Sequence, residues 1–291
     1  MIEAQPQNQR AQRAGSWWPR LNRGALTWGR LTLTLHAFLM YLFLYGPILV
    51  LVVFSFTRDE FGVRWTGFTL EWYVRMFAND RLMGAAGNTL YVAFVSTVVS
   101  TILGTLLALA MERHRFRGRT GVDAVIYLPV VIPEIAMAVS LLAFSSLALE
   151  FIRVVTGEVV RRSLVTVIIG HIAFSISFVT IVVRASLKHF DRRLEEAARD
   201  LGANSWQTFW RITFPMILPG ILGGALLAFT LSLDNFIISL FLSGPGTSLL
   251  PVEVYNKVRR AVTPEINAIS TLMLAFSITL VVLSQLVQRR R

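Results

Sequence analysis

Residues 190–219 read FDRRLEEAARDLGANSWQTFWRITFPMILP, and the rest of the chain is best read outward from them. The stretch is the longest polar interruption in an apolar second half, yet it is not composed like a linker. Leu194, Ala197, Ala198 and Leu201 fall at i, i+3, i+4 and i+7, which places them on one face of a short helix. Glu195 and Arg199, four residues apart in a stabilising order, are expected on its solvent side. Gly202 stands where a helix ends with a residue at positive φ. Asn204 and Ser205 then suit the N-cap of a second helix, whose pattern continues through Trp206, Phe209, Trp210 and Thr213 until Pro215 and Pro219 interrupt it. The segment reads as helix, sharp turn, helix. Its apolar face needs a partner, either a lipid surface or another protein.

The chain has 291 residues, 54% of them hydrophobic, with no cysteine and a formal charge of +11. That much apolar residue points to a bilayer as solvent. The positive charge does not point to nucleic acid, because the basic residues sit in short segments between apolar runs and form no stripe with interleaved aromatics. Without cysteine there are no disulfides and no thiolate metal sites, although the compartment stays open.

Six apolar spans are expected, at about 31–56, 89–111, 122–149, 163–185, 218–241 and 267–287. Residues 1–30 carry five arginines against one acid and read as a basic tail rather than a signal peptide, since the run that follows is too long. In the loop 57–88, Trp65, Trp72 and Tyr73 suit a membrane interface. The tail, the loop 112–121, the region 184–211 and the C-terminus hold 18 of the 28 basic residues. The positive-inside rule therefore expects both termini and the hairpin in the cytoplasm. Gly220 and Gly224, and Gly104 with Ala108, have the spacing that lets membrane helices approach closely, although small residues are common in such helices anyway.

No catalytic constellation is present. There is no G-x-x-x-x-G-K-[ST], so the chain is not its own ATPase. Residues 243–247, SGPGT, read as a turn. His171, the only histidine inside a span, reads as a packing residue rather than a ligand. Two acids fall within spans, Glu134 one residue after Pro133 and Asp234 in the fifth span. An acid at a helix centre costs about 2.5–3.5 kcal/mol on insertion, so it faces a cavity or a partner. Either the two line a polar path that favours a cation, or they pair with Arg184, Asn235 or a group on another subunit.

The order Glu196-Ala197-Ala198, three residues, Gly202, nine residues, Ile212, one residue, Phe214-Pro215 resembles the EAA loop of ABC-importer permeases. That loop's pattern ends Ile-x-Leu-Pro, so Phe214 is the one departure. Residues 229–236 (FTLSLDNF), 243–246 (SGPG), 264–268 (PEINA) and 129–134 (PVVIPE) are similar to polyamine (spermidine/putrescine) permeases of the same class, and the likeness covers roughly 40–287. Asn235 stands where relatives often carry a second acid.

The resemblance implies an all-α membrane protein with six transmembrane helices and the type I ABC-importer permease fold. The permease domain would run over 31–291, with its core at about 85–287 and the coupling loop at 190–215. It implies no cofactor of the chain's own. The expected partners are membrane lipid, a second permease subunit, two cytoplasmic ATPases and a periplasmic binding protein in a bacterial inner membrane. Glu196, Ala197, Ala198, Leu201, Gly202, Phe209 and Pro215 would meet the ATPase, and Asp234, Asn235 and Glu134 would line the path. Importers of other small solutes (an amino acid derivative, an iron chelate, thiamine) remain an alternative, as does a channel that needs no ATPase.

Overall fold

A backbone surrounded by hydrocarbon must satisfy its own N–H and C=O groups, and a helix does this within one segment. The computed structural model describes residues 23–62, 64–188, 190–260 and 263–289. Among these the chain is helical, and its β pairing is one isolated bridge between Thr57 and Phe68. The first of two units ends at Val53. Its described part is residues 23–53 of α1 (Arg23–Phe54), a helix with Pro47 inside it and an apolar stretch from Gly29 to Phe54 long enough to span a bilayer. Residues 1–22 of the expected tail lie outside the described residues.

The second unit begins at Phe54. It contains α2 (Glu71–Phe77), α3 (Asp80–Arg113), α4 (Arg119–Val131), α5 (Glu134–Thr156), α6 (Leu164–Lys188), α7 (Arg193–Asp200) and α8 (Ser205–Thr208). A π-helical turn, Phe209–Thr213, leads on to α9 (Phe214–Asp234), α10 (Phe236–Leu242), α11 (Leu250–Val258) and α12 (Pro264–Arg289). Besides α1, the segments long and apolar enough to cross a membrane are α3, α5, α6 and the continuous run Ser205–Asp234, while α12 supplies a shorter apolar stretch, Pro264–Leu280. The chain is thus a multi-pass membrane protein.

Four expectations need correction. The third span is two helices: the ring of Pro133 drives Ile132 to an extended conformation (φ −73°, ψ 137°), which ends α4 and lets α5 start afresh at Glu134. The fifth span also breaks, at Asn235 (φ −69°, ψ 96°), so Asp234 is the last residue of α9 rather than a mid-helix acid. Pro215 and Pro219 do not interrupt the second hairpin helix. Pro215 sits in the first turn of α9, just past a π-turn whose wider i→i+5 bonding carries the helix through. Finally, the loop 57–88 contains α2 and the start of α3, and Trp72 is buried there with its indole N–H donating to the Thr57 carbonyl at 2.6 Å.

The core is built on α6, which packs between α3 and α9 and also meets α10. Val179 on α6 is closely approached from both sides. A side chain at Gly104 of α3 would stand 2.8 Å from Val179 Cβ, and one at Gly224 of α9 would stand 3.3 Å from Val179 Cγ1. A side chain at Gly220 would collide with Ser186. Both small-residue pairs read from the sequence therefore bring their helices onto α6. Around these contacts Ala108, Val179, Val183, Ile217 and Ala228 form one buried cluster, and Val92, Val167, Ile238, Leu242 and Leu249 another.

Candidate functional site

The hairpin is set by local chemistry. The last turn of α7 closes with two hydrogen bonds, Gly202 N–H to the Arg199 carbonyl at 2.9 Å and Ala203 N–H to the Ala198 carbonyl at 3.0 Å. Gly202 takes φ +89°, the left-handed conformation this closure requires. Asn204 then caps α8 reciprocally with Gln207: its Oδ1 accepts from the Gln207 N–H at 2.8 Å, and the Gln207 Oε1 accepts from the Asn204 N–H at 3.1 Å.

The hairpin presents much of the face the sequence marks. Leu201 is 90% exposed and Trp206 70%; Glu196, Ala197 and Pro215 are exposed as well, while Phe209 is half-buried and Ala198 buried. Phe209, Trp210 and Phe214 pack against one another edge-on or tilted, with ring centres 4.8–6.1 Å apart. An exposed, ordered apolar patch of this kind marks a contact surface.

Glu195 does not face solvent as its spacing suggests. It is buried, accepting hydrogen bonds from Arg113 at the end of α3 and from Thr213 at the end of the π-turn. Arg113 also donates to Thr213 Oγ1 at 3.2 Å. Arg192 donates to the Glu112 carbonyl at 2.6 Å, and the Glu112 carboxylate is held by Arg184 of α6 at 2.9 Å. Arg184 reaches Asp123 of α4 as well, at 2.5 Å, so Arg184 is engaged at this end of the bundle and not with the acids farther along the spans.

Of the three residues expected to line a path, the fold brings two into contact. Asn235 at the α9–α10 break donates from Nδ2 to Glu134 Oε1 at 2.8 Å, while its Oδ1 caps α10 by accepting from the Ile238 N–H at 2.9 Å. Asp234 is exposed and, among the described residues, makes no hydrogen bond or ion pair; it borders a cavity of about 540 Å³ walled by Met76, Phe77, Met83, Met273 and Phe276. A carboxylate beside apolar walls suits an organic cation with methylene groups better than a bare metal ion. His171 is buried, its Nδ1 2.7 Å from Ser232 Oγ and its Nε2 3.2 Å from Ser239 Oγ, and so it bridges the two sides of the Asn235 break.

The sequence reading missed Glu253. This α11 carboxylate is buried and bonded to Arg81 Nη2 at 2.9 Å, which ties α11 to the start of α3. Burial alone would raise its pKa, but hydrogen bonds from Ser248 and Arg81 outweigh that and hold it below the ordinary glutamate value. Nothing in its local spacing marks it, because its partner lies 172 residues away.

Residues 100–291 match the family described as "Binding-protein-dependent transport system inner membrane component". The chain is 40% identical over 253 residues to the spermidine/putrescine transport system permease protein PotC of Haemophilus influenzae, covering 87% of this chain and 95% of that one. It is 41% identical over 236 residues to the putrescine transport system permease protein PotI of Escherichia coli, covering 80% and 82%. Its fold is similar to that of a bacterial ABC transporter involved in the import of the acidic polysaccharide alginate, with a TM-score of 0.75, 22% identity and coverage of 90% of this chain and 96% of that one.

Proposed function

Because the chain belongs to the family of binding-protein-dependent transport system inner-membrane components, we propose that it is a permease subunit of an ATP-driven importer of polyamines. The observation that carries the substrate class is its likeness, over most of both chains, to permeases named for spermidine and putrescine. Asp234 beside an apolar-walled cavity fits the same chemistry, since a polyamine alternates ammonium groups with methylene segments.

In this reading six spans cross the inner membrane, with α12 as the sixth, and both termini and the hairpin face the cytoplasm. Two ATPase subunits hydrolyse ATP, a second permease subunit completes the path, and a periplasmic binding protein delivers the substrate. The exposed face of the hairpin, with Glu196, Ala197, Leu201 and Phe209, docks on one ATPase. Ala198 packs inside it, Gly202 makes its turn, and Pro215 starts the helix that carries its motion inward. Closure of the ATPases would then switch the path between outward- and inward-facing states. Asp234, Asn235 and Glu134 line that path.

Co-purification tests the docking directly. Glu196→Arg reverses the charge at the exposed edge of the hairpin without touching its internal hydrogen bonds, and is expected to weaken ATPase association by about thirtyfold or more, about 2–5 kcal/mol for one member of a desolvated pair. Undiminished association and transport in both Glu196→Arg and Gly202→Pro would contradict the docking.

A further inference from the structure

We propose that Glu195 locks the hairpin to the transmembrane helices and is a positioning residue for coupling ATP hydrolysis to transport; the proposal rests on the importer reading above. The two neighbouring acids differ in burial: Glu196 is exposed, whereas Glu195 is buried and bonded to Arg113 and Thr213.

Apolar packing does not hold α7 in place. Of its apolar face only Ala198 is buried, while Leu194 is 44% exposed. Between α7 and the end of α3 lies a cavity of about 330 Å³ lined by Arg113, His114, Arg192, Glu195, Glu196 and Arg199. A helix that short is marginal by itself, so its orientation depends on what crosses that gap. The polar contacts do. Glu195 joins α7 to Arg113 of α3 and to Thr213 just ahead of α9, and Arg192 adds its bond to the Glu112 carbonyl. Glu112 passes the connection to Arg184 of α6, and Arg184 passes it to Asp123 of α4.

A push on the exposed face therefore reaches α3, α4, α6 and α9 together, instead of rotating α7 alone. Glu195 is the buried member of the pair and Arg113 its partly exposed partner. Loss of Arg113 leaves the desolvated Glu195 with Thr213 and a longer contact to Arg199 at 3.8 Å, which disfavours the docked arrangement itself. An ion pair suits this place better than an apolar contact, since its directionality fixes the angle of α7 as well as its distance.

The native chain has no cysteine, so labels can be introduced without background from this subunit, and partner subunits are used in cysteine-free form. Spin labels on Asp200→Cys of α7 and Leu106→Cys of α3, both exposed, report the distance across the lock in the complete transporter complex. The expected result is one narrow distance distribution that broadens with Glu195→Gln. In the unlabelled complex, uptake per ATP hydrolysed should fall about tenfold with Glu195→Gln or Arg113→Gln. The exchange Arg113→Glu with Glu195→Arg should recover most of it. The proposal is overturned if the distribution stays narrow, or if uptake and hydrolysis fall in equal proportion and the exchanged pair does no better than either single change. A parental complex that hydrolyses ATP without moving polyamines contradicts the substrate reading alone, and the label distances then decide the lock.

Discussion

The Asn235 side-chain amide donates to Glu134 Oε1 at 2.8 Å, and each of the two residues stands where a helix is broken. Asn235 follows the last residue of α9, and Glu134 opens α5 just after Pro133. One hydrogen bond thus ties two interruptions together, and both free polar ends of Asn235 are used, the second by the N-terminus of α10. Interrupted membrane helices expose backbone polar groups that regular helices hide, and such groups persist only where protein or a water-filled cavity meets them.

Asn235→Ala removes the cap of α10 and the partner of Glu134 at once. The expected loss is about 1–3 kcal/mol, read as a lower melting temperature of the purified protein in detergent. Asn235→Ser keeps a cap for α10 without the amide donor and without a second charge beside Glu134, and should recover part of that loss.

The glycines that face α6 should rank by the space a Cβ would find. Gly104→Ala meets Val179 at 2.8 Å and the Ile176 carbonyl at 3.0 Å, whereas Gly224→Ala meets nothing nearer than 3.3 Å. Gly104→Ala is therefore expected to destabilise by about 1–3 kcal/mol and Gly224→Ala by less. Thermal melts of the two variants side by side check the order.

At Gly202 the limit is conformational rather than steric. A Cβ there would meet no atom within 4 Å, but φ is +89°. Gly202→Ala is expected to cost about 1 kcal/mol or somewhat more, and Gly202→Asn less, since asparagine tolerates the left-handed region. Protease accessibility of the hairpin is the readout, with cleavage rising from wild type through Gly202→Asn to Gly202→Ala.

Acid should loosen the contact between α11 and α3. The folded-state pKa of Glu253 lies below its ordinary value of 4.5, so its contribution to stability is complete above that value and fades as pH falls through the lower, folded value. Wild type should thus melt above Glu253→Gln at pH 7, and the gap should close in scans carried below about pH 4.5. A gap independent of pH would show that the charge of Glu253 is not what matters.

The hairpin turn was legible because its signals are local. Gly202 and Asn204 act within three residues of one another, and each does in the fold what its position implies; of the two cap candidates Asn204 is the one used, with Gln207 completing the box. The side on which Glu195 lies was not legible, because amphipathic spacing assigns a carboxylate to solvent and the arginine that buries it comes 82 residues earlier. Pro133 carried a visible warning of a broken span. Asn235 carried none, since the break there depends on its side chain finding both Glu134 and the turn of α10. Pro215 misled in the other direction: the preceding π-turn lets the helix run on where a proline normally stops one.

Uptake of radiolabelled putrescine and spermidine, by vesicles holding the complete transporter with ATP and the binding protein, tests the central claim most directly. The account predicts saturable, ATP-dependent uptake that falls sharply when Asp234→Asn removes the unpaired carboxylate from its cavity, while the complex still assembles. An assembled, ATP-hydrolysing complex that takes up neither polyamine would contradict it.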